Sequence, residues 1–283
     1  MNSKLGFYVN IAVFSFAIFS FFPSRTFAQP ATPKLGQYVE RRLFDAICPV
    51  RESVVARRVF AEYGAVFVAD NVRIPDKCVF SNEAEVQEFQ QTLSIKNAVV
   101  RGVRIELQKA AMDSLMEVII EANSRNLQLT PLDGSIAARR SYTDTVRIWN
   151  SRFLPALDHW ISGGKLTVAD ANEARSLDVH RQVEKVMDWE SKGFFFSTNF
   201  TRSIFSSTAP PGTSQHLTLI ALDIQEHDNP ELRDILARHG WYQTVKDDVT
   251  HFTFLGVPES ELPARGLRLT AINSCKFWLP NVD

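Results

Sequence analysis

The sequence has no block of like charge. Its 31 Lys and Arg residues offset 32 Asp and Glu, for a formal net charge of −1. Nucleic-acid affinity rests on a clustered basic surface, so that partner class is not expected. Cysteine is scarce, with Cys48, Cys78 and Cys275 alone, and no C-x-x-C or Cys/His finger spacing occurs. Any metal ligands are therefore sought among His, Asp and Glu. No internal repeat or low-complexity segment is visible. Beyond the N-terminus, no apolar run is long enough to cross a bilayer.

What is present reads as a folded globular chain. Hydrophobic residues make up 45% and charged residues 22% of 283 positions, which suits one large domain or one domain with an extension. Part of the Phe content lies in a single apolar run. Lys4 precedes residues 5–22, Pro23 follows them, and Thr26-Phe27-Ala28 offers small residues where a signal peptidase reads. The expectation is an export signal, 1–28, cleaved after Ala28; a retained anchor is the other reading. Export permits disulfides. Cys48 and Cys78 share one region and are the expected pair, leaving Cys275 alone, although three pairings exist and three buried thiols are the alternative.

Residues 29–36 read as a leader, and 37–105 as short mixed pieces punctuated by Pro49, Gly64 and Pro75. Leu107, Ala111, Leu115, Val118, Ile119 and Ala122 share a face and predict a helix over 105–124. Val146, Trp149, Phe153 and Leu157 predict a second from near Thr143, which Pro155 should kink or end. A third is expected over 169–192, with Leu177, Val183, Val186 and Met187 inward and Gly193 at its end. Residues 216–224 are β-rich. Residues 229–239 predict a short helix capped by Asp228 or Asn229, with Pro230 in its first turn. Strand-like runs follow at 241–245 and 251–255. Helices followed by short strands indicate an α+β class.

Candidate chemistry lies in two segments, Ser214 to Asp223 and Asp248 to Phe252. Catalytic zinc takes three protein ligands and keeps one position for water. His216, Asp223 and His251 supply two imidazoles and a carboxylate, and Asp248 supplies a second carboxylate as base. Asp247 is the rival base. His216 and Asp223 are seven apart, so one straight strand would point them to opposite faces. A bend or loop between them is required. His159, His180, His227 and His239 have no such partner spacing.

The segment PPGTSQHLTLIALDI resembles the S-x-H-(six residues)-D signature of the D-Ala-D-Ala carboxypeptidase and dipeptidase family of zinc peptidases. HGWYQTVKDDVTHFTFLG resembles that family's second signature, an acidic residue three before a histidine. The resemblance covers roughly residues 105–257. It implies a hedgehog/DD-peptidase-like fold, with a small antiparallel sheet carrying the site and helices flanking it. It implies Zn²⁺ on His216, Asp223 and His251, with Asp248 as general base and Ser214 contacting substrate. An arginine that steadies the substrate carbonyl falls on Arg140, in Ala138–Tyr142, or on Arg202, in Phe200–Ser203. Arg140 is preferred because Ser141-Tyr142 and the following helix match better. That choice makes 160–205 an insertion within a domain of 105–283, preceded by an N-terminal extension of 29–104; one reading makes residues 37–105 a separate partner-binding module. Two departures stand out. Leu219 replaces a usual Gly. The base is Asp, as in the L-Ala-D-Glu endolysin peptidases, where the D,D-carboxypeptidases carry Glu.

The implied activity is zinc-dependent hydrolysis of peptidoglycan stem peptides, with D-Ala-D-Ala carboxypeptidase first. L-Ala-D-Glu endopeptidase and a non-catalytic, zinc-stabilised wall-binding protein are the alternatives. The implied location is exported, periplasmic or cell-wall associated.

Overall fold

Arg101 and Gly102 both take positive φ, 51° and 82°, and turn the chain back on itself. A two-residue turn with φ positive at both positions matches the twist of an antiparallel pair. The flanking strands accordingly pair from Val100↔Val103 to Ile95↔Gln108, giving β1 (Ile95–Val100) and β2 (Val103–Gln108). The computed structural model describes residues 47–50, 53–272 and 275–282. The expected export signal and the leader lie outside these residues.

This hairpin corrects two expectations. The helix expected over 105–124 starts only at Lys109, as α3 (Lys109–Ser124). Ile105 and Leu107 are buried as alternate residues of a strand, not as a helical stripe. The boundary expected between 104 and 105 falls inside β2. The helix α1 (Val54–Tyr63) and the turn Gly64–Val68 supply Phe60, Val66 and Phe67 to the same core as Leu107, Leu115 and Trp241. The segment expected as a separate extension thus contributes to the main core, and a Cys48–Cys78 disulfide closes it on itself. The helix α2 (Glu83–Gln91) follows, capped by the Asn82 side chain.

A second apolar cluster forms around α4 (Tyr142–Ser162). Ser141 and Asp144 close a reciprocal capping box at its start. Pro155 was expected to kink or end this helix, yet the helix runs seven residues further. Pro155 sits on the exposed face. There the Ser151 carbonyl that loses its helical partner is open to water, which offsets part of the lost bond. The helix expected over 169–192 is two helices, α5 (Val168–Ser176) and α6 (Val179–Ser191). Asp178 breaks them by capping α6, accepting from the Arg181 amide. Trp149, Phe153, Trp189 and Phe196 stack through this cluster, which Val55, Val59 and Tyr63 of α1 complete. Residues 160–205 thus pack into a cluster they share with α1 and the first part of α4.

The site rests on a three-stranded antiparallel sheet of order β3-β5-β4, from β3 (Ala221–Asp223), β4 (Trp241–Tyr242) and β5 (His251–Phe254). Helix α3 and helix α7 (Pro230–Arg238) bury Leu115, Leu232 and Leu236 in the core that also takes Leu222, Trp241 and Phe252 of this sheet. A hairpin of β6 (Leu267–Ile272) and β7 (Cys275–Pro280) follows. Helices with small antiparallel sheets make this an α+β chain. Among the described residues, no helix is long and apolar enough to cross a membrane.

Candidate metal centre

Three segments converge on one point. In the β3–β5 pair, Asp223 lies directly opposite His251. His216 is not on a strand. It sits in the 3-10 turn Gln215–Thr218, and the chain then reverses at Leu219, whose φ of 56° and ψ of 32° are left-handed. This reversal resolves the odd spacing. It allows His216 and Asp223 to meet although they are seven residues apart. A left-handed leucine costs roughly 1–2 kcal/mol. Leu219 is fully buried, and its carbonyl accepts from the Gln108 amide at 2.8 Å, so packing holds the strained residue in place. Upstream, Gly212 has φ +82° and a Cβ there would lie 1.9 Å from the Phe80 carbonyl oxygen. No side chain fits at that position, and the loop leading to His216 is pinned against residue 80 by the Phe80 N–H donating to the Gly212 carbonyl.

His216, Asp223 and His251 form a group that could hold a metal ion. His216 Nε2 lies 3.0 Å from His251 Nδ1 and 3.2 Å from Asp223 Oδ1, and His251 Nδ1 lies 3.1 Å from the same oxygen. A tetrahedral zinc with bonds of about 2.0–2.1 Å separates its ligand atoms by about 3.3 Å, so the triangle is close to the size required. The remaining ring nitrogens fix the tautomers. His216 Nδ1 faces the Ala138 carbonyl at 3.0 Å, and His251 Nε2 faces Gln215 Oε1 at 2.9 Å. Both partners are acceptors, so with a metal bound each ring would donate outward and turn a lone pair inward. The donor set of two neutral imidazoles and one carboxylate suits Zn²⁺.

The surrounding charges agree with this arrangement. Burial, and then the Arg140 cation, push the His216 pKa down to about 4, which keeps the ring neutral and able to ligate. Burial works against an ionised Asp223, but His216 and His251 beside it hold its carboxyl well below the usual range. Arg140 Nη2 donates to Asp223 Oδ2 at 2.6 Å, and its Nε donates to the Ile136 carbonyl at 3.0 Å. Asp223 therefore offers one oxygen to the histidines and the other to Arg140.

Arg140, Ser214, His216, Asp223, Asp248 and His251 all line one cavity of about 340 Å³. Asp248 stands in the turn just before β5, its carbonyl accepting from the His251 amide and its carboxylate from Thr250 Oγ1 at 3.0 Å. Enclosure by the surrounding protein, with the Asp223 carboxylate adding to it, raises the Asp248 pKa against the pull of His251, and the solvent that still reaches this exposed residue weakens the effect. The rivals lie elsewhere: Arg202 and Asp247 pair with each other at 3.6 Å, and neither lines the cavity. His239 is bound to Glu121, His159 stacks on Phe200, and His180 and His227 also stand outside it.

Sequence reasoning missed Gln215. Its Oε1 also accepts from Thr244 Oγ1 at 3.1 Å and from Thr253 Oγ1, and its Nε2 donates to the Tyr63 carbonyl at 3.0 Å. A glutamine between Ser214 and His216 carries no spacing signal, because its partners come from α1 and from segments some thirty residues away. Arg147, which reads from sequence as part of a solvated face or a surface ion pair, also lines the cavity, as do Ser151 and Arg152.

Neither a protein-family model nor a curated protein matches the sequence. Among solved structures, the chain is similar to a zinc-bound variant of the vancomycin-resistance D,D-pentapeptidase VanY from a VanB-type cassette. That match has 15% identity and a TM-score of 0.35, over 59% of this chain and 81% of that one.

Proposed function

We propose that the chain is a zinc-dependent peptidase acting on peptidoglycan stem peptides, with release of terminal D-Ala from D-Ala-D-Ala as its first reaction. The observation that carries this reading is the triangle of His216 Nε2, His251 Nδ1 and Asp223 Oδ1, set in a cavity that Asp248 also lines. Zinc bound there supplies a Lewis acid that polarises the scissile carbonyl and acidifies water. Asp248 takes the proton of the attacking water and passes it to the leaving amine. Its raised pKa suits both halves of that task. Arg140 keeps Nη1 for a substrate oxygen, since Nε and Nη2 are engaged, and so meets the charge that develops on the carbonyl. Ser214, buried beside His216, holds the substrate against the ligand turn.

An aspartate as base is the one feature that favours the second reading, cleavage of the L-Ala-D-Glu bond. The Cys48–Cys78 disulfide supports an exported chain, since such bonds persist in oxidising compartments. The test is direct. The purified chain should carry about one zinc per molecule and release D-Ala from a muropeptide ending in D-Ala-D-Ala, and His251→Ala should lose both properties. Zinc content without any product after long incubation would favour a wall-binding protein over an enzyme.

A further inference from the structure

Helix α4 has two working faces. Trp149, Phe153, Ala156 and Leu157 are buried in the second core. Arg147, Ile148, Ser151 and Arg152 line the metal-centre cavity. These positions recur at one helical face, so the cavity runs along the helix and not only across its start.

The two arginines on this face lack strong partners. Arg147 meets Asp144 at 3.4 Å, and that carboxylate is already held by the Ser141 amide and hydroxyl. Arg152 Nη1 donates to Ser151 Oγ at 2.9 Å, and no carboxylate among the described residues pairs with it. Its Nε is buried with no hydrogen-bond partner. A buried donor left in that state is costly, so the Arg152 guanidinium is not fully satisfied by the protein around it. Asp223 belongs to the metal group, Asp248 is the proposed base, and Asp133 is the remaining acid on the lining. Two guanidinium groups on a wall otherwise built of hydroxyls and apolar groups match a carboxylate.

The helix also gives a ruler. At 1.5 Å per residue, Arg147 and Arg152 stand about 9 Å and about 17 Å along α4 from the Ser141 cap. Arg140, next to that cap, is on Asp223. An extended peptide advances about 3.4 Å per residue, so the wall meets groups roughly three to five residues from the metal centre. A terminal carboxylate one residue beyond the cut bond is too near.

We propose that Arg147 and Arg152 form a carboxylate subsite that receives an acidic side chain of the peptide substrate, away from the bond that is cut. The inference rests on the peptidase reading above and adds to it a requirement for an internal acid.

The experiment is equilibrium binding of three stem peptides to the zinc-loaded full chain. One is a pentapeptide ending in D-Ala-D-Ala with its D-Glu carboxylate free; one has that carboxylate amidated; one has only the terminus amidated. Arg147→Gln and Arg152→Gln should each weaken the first and third peptides about tenfold and leave the second unchanged. Arg→Lys at either position should lose less. Arg147 is 61% exposed in its side chain, so folding is not at stake in its substitution. Equal losses for all three peptides, or none, would overturn the subsite. Losses that follow the terminal carboxylate instead would overturn its assignment to an internal acid. Losses confined to the two peptides with a free D-Glu carboxylate, in a chain that cuts none of the peptides, would keep the subsite and sink the peptidase reading. Cleavage of all three without discrimination would do the reverse.

Discussion

Gln215 holds His251 from behind: its Oε1 accepts the His251 Nε2 proton at 2.9 Å while His251 Nδ1 faces Asp223 and His216. The glutamine thereby decides which nitrogen of His251 is left to ligate. It is itself fixed by two threonine hydroxyls and the Tyr63 carbonyl, so the ring inherits the rigidity of α1 and the sheet.

Removing that support should weaken metal binding without removing a ligand. Gln215→Ala is expected to lower zinc affinity about 10- to 100-fold, the range for partners that orient a ligating histidine. Gln215→Glu keeps the acceptor and should lose less. Competition with a chromophoric chelator measures this. Affinity unchanged in Gln215→Ala would mean that the sheet alone orients His251.

The buried, neutral state of His216 sets a pH dependence in the metal-free protein. Its pKa falls from an ordinary 6.5 to about 4 in the fold. As pH drops below about 6.5, the unfolded chain takes up this proton first, so folding stability declines until about pH 4 and then levels. A shift of this size amounts to on the order of 3 kcal/mol. Urea denaturation of metal-free protein at several pH values should show that slope, and His216→Asn should flatten it. The His216 ring proton should titrate near pH 4 by NMR; a midpoint near 6.5 would contradict the burial argument.

The candidate cluster of His216, Asp223 and His251 was legible because its residue types lie in two short segments, Ser214 to Asp223 and Asp248 to His251, and the family resemblance named their roles. The α+β class followed from the helical stripes and the short β-rich runs. The failures came where local signals competed. Ile105 and Leu107 continue the stripe of α3, yet the Arg101-Gly102 turn pairs them into a strand. Leu177 continues an apolar face, yet Asp178 caps a new helix. Pro155 is tolerated because solvent reaches the carbonyl it frees, and exposure is not written in the residue itself. The wall of α4 was not legible at all, since a cationic helix face reads the same beside water as beside a cavity.

The Cys48–Cys78 disulfide should matter for stability. Its cysteines are 30 residues apart, and loop-closure entropy for such a loop is worth roughly 3.5 kcal/mol on the chain-entropy model. Reduction should lower the unfolding free energy by a matching amount, read as a lower urea midpoint. Because α1 lies within that loop and its Tyr63 carbonyl anchors Gln215, zinc affinity should fall as well. An identical midpoint with and without reductant would show that the main core holds this segment unaided.

Leu219 offers a test in which two effects oppose each other. It is left-handed, and glycine would relieve roughly 1–2 kcal/mol of that strain. It is also fully buried, and truncating a buried leucine costs roughly 2–5 kcal/mol. Burial wins, so both Leu219→Gly and Leu219→Ala should be destabilised by a few kcal/mol. Their order is the sharper test. In a regular helix alanine is more stable than glycine by about 1 kcal/mol. At Leu219 alanine keeps the strained φ and glycine does not, so Leu219→Gly should be at least as stable as Leu219→Ala. Urea denaturation of the two variants decides it. If alanine is clearly the more stable, the residue does not hold the left-handed turn in solution, and the meeting of His216 with Asp223 must be achieved by another bend.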